Sequence, residues 1–161
     1  MDRQLDTARS GPLFLRQNAI AEVVIESLFR GAEMGHYKLG AFVIMANHVH
    51  VLLRPLIAPS RLLKSFKGYT AYAANRILGR RGEPFWQRES YDHCVRTQEG
   101  WERVAAYIEN NPVKAELVSR PEDYRWSSAN EKWLQRLVGT SADKTVGAAR
   151  TSARATVAAD S

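Results

Sequence analysis

The chain has 161 residues, 45% of them apolar and 25% charged, with a formal net charge of +6. That length and composition suit one ordinary core, and the positive balance favours polyanionic partners, nucleic acid ahead of an anionic membrane surface. The one cysteine, Cys94, excludes an intramolecular disulfide; with no apolar run of membrane-span length and no signal-peptide core, a cytoplasmic location is expected.

Residues 1–18 are mixed, with a turn signal at Ser10-Gly11-Pro12 and a short apolar patch at Leu13-Phe14-Leu15. Ile20, Val23, Val24 and Leu28 recur at helical spacing and predict a helix over Ala19–Phe29, stopped near Gly31. Tyr37–Met45 reads as a strand, Ala46-Asn47 as a two-residue turn and His48–Arg54 as the return strand, ended by Pro55. Ser60 is the expected N-cap of a helix reaching Leu78, with Leu62, Leu63, Phe66, Tyr69, Ala73 and Ile77 along it. Arg61, Lys64, Lys67, Arg76, Arg80 and Arg81 make that helix and its exit basic. A solvated face accounts for such a run; interleaved with Tyr69 and Tyr72 it also suits phosphate contact and base stacking.

A Gly/Arg-rich loop over residues 79–84 leads to Phe85-Trp86-Gln87-Arg88, where Trp86 is either a core anchor or a stacking platform. Ser90–Arg96 reads as a short strand carrying His93 and Cys94, the latter a small buried residue. Gln98–Asn110 is a second strong helix with a stripe of Trp101, Val104, Ala105 and Ile108, ended by Asn111-Pro112. Tyr107 and Asn111, four apart, share one side of it. Tyr124 and Trp126, within Pro121–Ser128, are expected to pack back on the domain. Beyond Gly139 the composition of Ala, Ser, Thr and Asp predicts a disordered tail.

The chemistry centres on His48-Val49-His50. Alternate side chains of a strand share a face, so the two imidazoles project side by side and can bind a divalent metal; half-exposed polar residues are the plainer explanation of such a pair. A metal held by His48, His50 and the side-chain oxygen of Asn111 would polarise a scissile phosphate, and Tyr107 would attack it. Tyrosine ionises near pH ~10 and needs help to deprotonate. The base is not identified by the sequence. His93 is one candidate, and a structural histidine is the equal alternative.

Met45-Ala46-Asn47-His48-Val49-His50-Val51-Leu52 resembles the His-hydrophobic-His motif of single-tyrosine HUH transposases. Phe85-Trp86-Gln87-Arg88, Tyr91-Asp92-His93, the block from Tyr107 to Ala115 and Trp126-Ser127-Ser128 are also similar, most of all to the REP-associated branch, in the family's order over roughly residues 5–130. The resemblance implies an α+β, ferredoxin-like antiparallel sheet with helices on one face. It implies metal-dependent cleavage and rejoining of single-stranded DNA beside hairpins, with magnesium or manganese as cofactor and a monomer or homodimer as the working unit. Carried over by position, His48, His50 and Asn111 are metal ligands and Tyr107 is the nucleophile, leaving a 5′-phosphotyrosine and a free 3′-hydroxyl. Arg61, Lys64, Lys67, Arg80, Arg81, Trp86 and Arg88 are the expected DNA contacts.

Ala46 stands where the family usually has proline. The family also places a central first strand before its first helix, and only Leu13-Phe14-Leu15 precedes Ala19 here. The expectation is therefore an N-terminally incomplete catalytic domain over 1–130 and a helical or disordered tail over 131–161. A non-catalytic or decayed DNA-binding module is the alternative to the enzyme, and an unrelated metal hydrolase, which would not need Tyr107, is a third reading.

Overall fold

A computed structural model describes residues 11–141 and 152–159. Residues 1–10, where the family likeness begins, lie outside the described residues, as do residues 142–151 of the expected tail. The elements in order are α1 (Asn18–Glu33), β1 (Tyr37–Ile44), β2 (His48–Pro55), α2 (Pro59–Leu78), β3 (Trp86–Val95), α3 (Gln98–Glu109), α4 (Asn111–Lys114), α5 (Glu131–Ser141) and β4 (Ser152–Ala159). No helix among the described residues is long and apolar enough to cross a membrane.

The four strands form one antiparallel sheet in the order β1-β2-β4-β3. The arrangement is mixed α+β and ferredoxin-like, with α1 and α2 packed side by side on one face. Val49, Val51 and Leu53 of β2 and Phe42 and Ile44 of β1 meet Ile20, Val24, Ile25, Leu28 and Phe29 of α1 and Phe66 and Ala74 of α2 there. α3 covers the opposite face, where Ala41, Val43, Met45 and Leu52 pack with Ile108, Trp101 and Val104. An irregularity between Leu39 and Ala41 resets the alternation of β1. Tyr37 and Leu39 belong to the α1 side before it, and Ala41 and Val43 to the α3 side after it.

Two glycines permit close approaches. A Cβ on Gly31 would overlap the phenol of Tyr37, whose hydroxyl donates to the Leu28 carbonyl at 2.7 Å. A Cβ on Gly40 would overlap the indole of Trp101, so the irregular residue of β1 is also the seat of α3.

Several sequence expectations are corrected. α2 begins at Pro59 with Ala58 as its N-cap, so Ser60 lies inside the helix; proline is pre-set for a first helical turn and displaces the cap by two residues. The buried line of α2 runs through Phe66, Thr70 and Ala74, while Tyr69 and Ile77 are half exposed. Cys94 is exposed, not buried. Leu13-Phe14-Leu15 forms no strand. Phe14–Arg16 is a 3-10 turn, Leu15 is buried, and its N–H donates to the Ala46 carbonyl at 3.1 Å, clasping the β1–β2 turn.

Of the residues beyond 130, Glu131–Ser141 are helical, one of the two expectations for that segment. Trp133 and Leu137 of α5 are buried in the α1-side core, and Trp133 stacks on Phe29 with ring centroids 6.1 Å apart. Arg136 of the same helix pairs with Glu26 at 2.7 Å and Glu33 at 3.3 Å on α1. β4 enters the sheet. The strand was hidden because its segment is rich in alanine and carries almost no strand preference.

Trp133→Ala is expected to destabilise the protein by about 3–5 kcal/mol, the usual cost of emptying a buried indole site. A denaturant melt would check it, and a change under about 1 kcal/mol would mean that α5 adds little to the core.

Candidate active site

The site is built on the β1–β2 hairpin. Met45 N–H donates to the His48 carbonyl at 2.8 Å and closes the Ala46-Asn47 turn, so β2 begins at His48 without slack. Alternation then sends His48, His50 and Leu52 to the α3 face. The two imidazole centroids lie 4.7 Å apart with their planes at 80°. His50 is 1% exposed, whereas His48 is half-buried at the rim.

Asn47 fixes the rim histidine. Its Oδ1 lies 2.8 Å from His48 Nδ1, and Asn47 is itself buried. An amide oxygen only accepts, so the proton of this bond sits on Nδ1. Such an outer partner is what a metal-binding imidazole needs to hold its tautomer and plane.

α3 supplies the other half. Thr97 caps it by accepting from the Gly100 N–H at 3.0 Å. Tyr107 packs at the edge of the cluster formed by Ala41, Val43, Met45 and Leu52, and Leu52 shares its face with His48 and His50. The structure therefore brings Tyr107 to the histidine side of the sheet. Asn111 is buried, and its Nδ2 donates to the Tyr107 carbonyl at 3.1 Å, which leaves Oδ1 as its accepting atom. Two imidazole nitrogens and one amide oxygen are donor types that a divalent ion accepts. Among the described residues no group of three His, Cys, Asp or Glu side chains is placed to hold a metal; Asn111 falls outside those residue types.

The Trp126-Ser127-Ser128 block has a mechanical explanation. It runs along the free edge of β1: Ile44 N–H donates to the Trp126 carbonyl, and Ser128 N–H to that of Phe42, each at 2.9 Å. Val43 bridges Ser127 in antiparallel fashion. Ser128 Oγ accepts from Phe42 N–H at 3.0 Å and donates to Glu109 Oε1 at 2.6 Å. One hydroxyl thus ties the sheet edge to the last residue of α3, between Tyr107 and Asn111 in sequence. Tyr124 adds a bond from its hydroxyl to the Ile44 carbonyl at 2.9 Å.

Lys114 is a residue that sequence reasoning passed over. Its Nζ stands 4.0 Å from the centroid of the Tyr107 ring. The short α4 turn folds it back, and a seven-residue separation across a proline carries no helical signature of that approach.

The basic residues are divided. Arg61 and Lys64 are exposed on α2, which lies on the face away from the histidines. Arg81 and Arg88 are exposed. Lys67 Nζ donates to the Gln87 carbonyl at 2.7 Å, and burial lowers its pKa. Arg80 pairs with Glu83 at 2.8 Å and lies 4.6 Å above the Phe14 ring. Trp86 takes the core role: it is 7% exposed and its indole N–H donates to Thr70 Oγ1 at 2.7 Å, so no face is left for a base. The His93 side chain lies outside the described residues.

A family model described as "Transposase IS200 like" matches residues 13–111, more than half of the chain and a span that includes His48, His50, Tyr107 and Asn111. The chain belongs to the IS200-like transposase family. No curated protein and no solved structure gave a match. Membership makes this a DNA-processing transposase with DNA as its partner. The matched span of the transposase ends at Asn111, so α5 and β4 lie beyond it.

Ser128→Ala would leave the Glu109 carboxylate and the Phe42 N–H without this partner. A loss of about 1–3 kcal/mol is expected in a denaturant melt. Because Glu109 adjoins the Tyr107–Asn111 segment, activity should fall by more than the folded fraction does. Activity that tracks the folded fraction alone would limit Ser128 to a role in stability.

Proposed function

We propose that this transposase cleaves and rejoins single-stranded DNA through a 5′-phosphotyrosine on Tyr107, with His48, His50 and Asn111 holding a magnesium or manganese ion. The observation that carries the reading is the meeting of Tyr107 with the histidine face across the Ala41-Val43-Met45-Leu52 cluster, inside the family-matched span. The bound ion supplies Lewis-acid polarisation of the scissile phosphate.

The chain's own groups do the rest. The Tyr107 phenol oxygen attacks phosphorus, the bond from phosphorus to the 3′ oxygen breaks, and the leaving strand departs with a 3′-hydroxyl. Attack by another 3′-hydroxyl reverses the step and releases Tyr107, so joining needs no nucleotide cofactor. Lys114 sets a positive charge beside the ring, which attracts the phosphate to the nucleophile. Asn47 orients the His48 ring, and Asn111 links the nucleophile's backbone to the ligand set. The likeness of Trp126-Ser127-Ser128 to the REP-associated branch supports hairpin-flanked single strands as the substrate.

Arg61 and Lys64 of α2, with Arg81 and Arg88, serve as phosphate contacts for the DNA outside the cleaved strand, and the exposed Tyr69 and Tyr72 add stacking surface.

Incubation with labelled hairpin DNA and manganese is expected to yield a denaturation-resistant protein–DNA adduct. EDTA and Tyr107→Phe should each abolish it, and Lys114→Met should slow its formation by about tenfold, the scale of one lost charge contact. Hairpin binding without any adduct would identify a DNA-binding module instead. Persistent cleavage by Tyr107→Phe would point to a hydrolase.

The double change Arg61→Ala with Lys64→Ala is expected to weaken hairpin binding and reduce the slope of log affinity against log salt by about two, roughly one per lost phosphate contact. Adduct yield at saturating DNA should stay at the wild-type level. An unchanged salt slope would remove α2 from the DNA interface.

A further inference from the structure

β4 is the element that neither the family match nor the proposed chemistry accounts for. Ser152–Ala159 lies between β2 and β3 and runs antiparallel to both. Its ladder to β2 covers His48 to Leu53 and sets Ala158 opposite His48 and Thr156 opposite His50. Its ladder to β3 covers Ser90 to Val95 and includes a partner for Trp86. In a βαββαβ domain that central place belongs to a strand preceding the first helix, and among the described residues none precedes α1. A strand placed there satisfies two rows of backbone donors and acceptors at once.

The sequence of the segment sharpens the point. Ser-Ala-Arg-Ala-Thr-Val-Ala-Ala holds four alanines in eight positions, and alanine is depleted in strands. What recruits this segment is therefore the pair of open ladders beside it rather than its own preference. Main-chain addition of this kind recognises an extended backbone first and side chains second.

We propose that the gap between β2 and β3 is a strand-acceptor groove, filled by residues 152–159 of the same chain, and that this ladder locks His48 and His50 into the register that burial favours. The effect on the histidines rests on the metal-site reading given above. The groove does not.

Register supplies the test. Cys94 of β3 sits opposite Ala153 of β4 and is exposed. In the full chain carrying Ala153→Cys, oxidation by copper-phenanthroline in air should produce an intramolecular disulfide, seen as a faster-migrating monomer and abolished by Cys94→Ala. A disulfide-linked dimer would overturn filling of the groove by the chain's own segment, and absence of any cross-link would overturn the groove itself.

Thr156→Pro, opposite His50 in the middle strand, removes a ladder donor. It should accelerate amide exchange at Val49 and Val51 by about tenfold or more, leaving Ile25 of α1 unchanged. Manganese affinity should drop with it, and a synthetic peptide of residues 151–161 should restore both. Unchanged exchange at Val49 and Val51 overturns the proposal. Faster exchange with wild-type manganese affinity overturns the link to the histidines. If Thr156→Pro does not fold, the cross-link in the otherwise unaltered chain decides. Disulfide formation in the Ala153→Cys chain together with a wild-type chain that binds no manganese would sink the metal-site reading and leave the groove standing.

Discussion

The alternation of side chains along β2 is the constraint on which the other features depend. Val49, Val51 and Leu53 must face α1 and α2, because that is where the larger core lies. The same geometry then commits His48, His50 and Leu52 to the α3 face. A slip of one residue would bury the histidines under α1 and turn three apolar side chains toward the site, so burial strongly favours this register. The closed Ala46-Asn47 turn, the clasp from Leu15 and the Asn47–His48 bond all act at the start of this strand. The irregular step at Gly40 lets β1 keep pace on both faces and opens the space that Trp101 fills.

From that hairpin the two halves of the site are joined by packing and by one hydroxyl. Trp101 and Ile108 seat α3 on the sheet, and Ser128 ties its last residue to the β1 edge. The basic surface of α2 is on the other side of the sheet from the histidine face.

How much of this was legible in the sequence depended on the range of the signal. The hairpin was readable because runs of β-branched and aliphatic residues and a two-residue turn are local signals. α3 was readable because Trp101, Val104 and Ile108 repeat at helical spacing. The approach of Tyr107 to the histidine face was not, since no local pattern says which face of a sheet a later helix will cover. Trp86 was ambiguous because an indole serves both cores and stacking, and Thr70, sixteen residues earlier, decides it by accepting its N–H. Lys114 was invisible behind Pro112. The sheet position of β4 was the least legible of all, because its alanine-rich sequence carries almost no strand preference and its place is set by partners remote in the chain.

That remoteness has a kinetic consequence. His50 and Thr156 pair although more than a hundred residues lie between them. The hairpin, α1 and α2 can assemble from contacts nearby in sequence, but the middle of the sheet waits for a distant segment, and loop-closure entropy makes such pairings late. During that interval two sheet edges and the apolar faces beneath them stand open, a condition that invites association between nascent chains. Expression yield and temperature sensitivity should therefore follow changes in the strand that arrives last more closely than changes in the helices that form first.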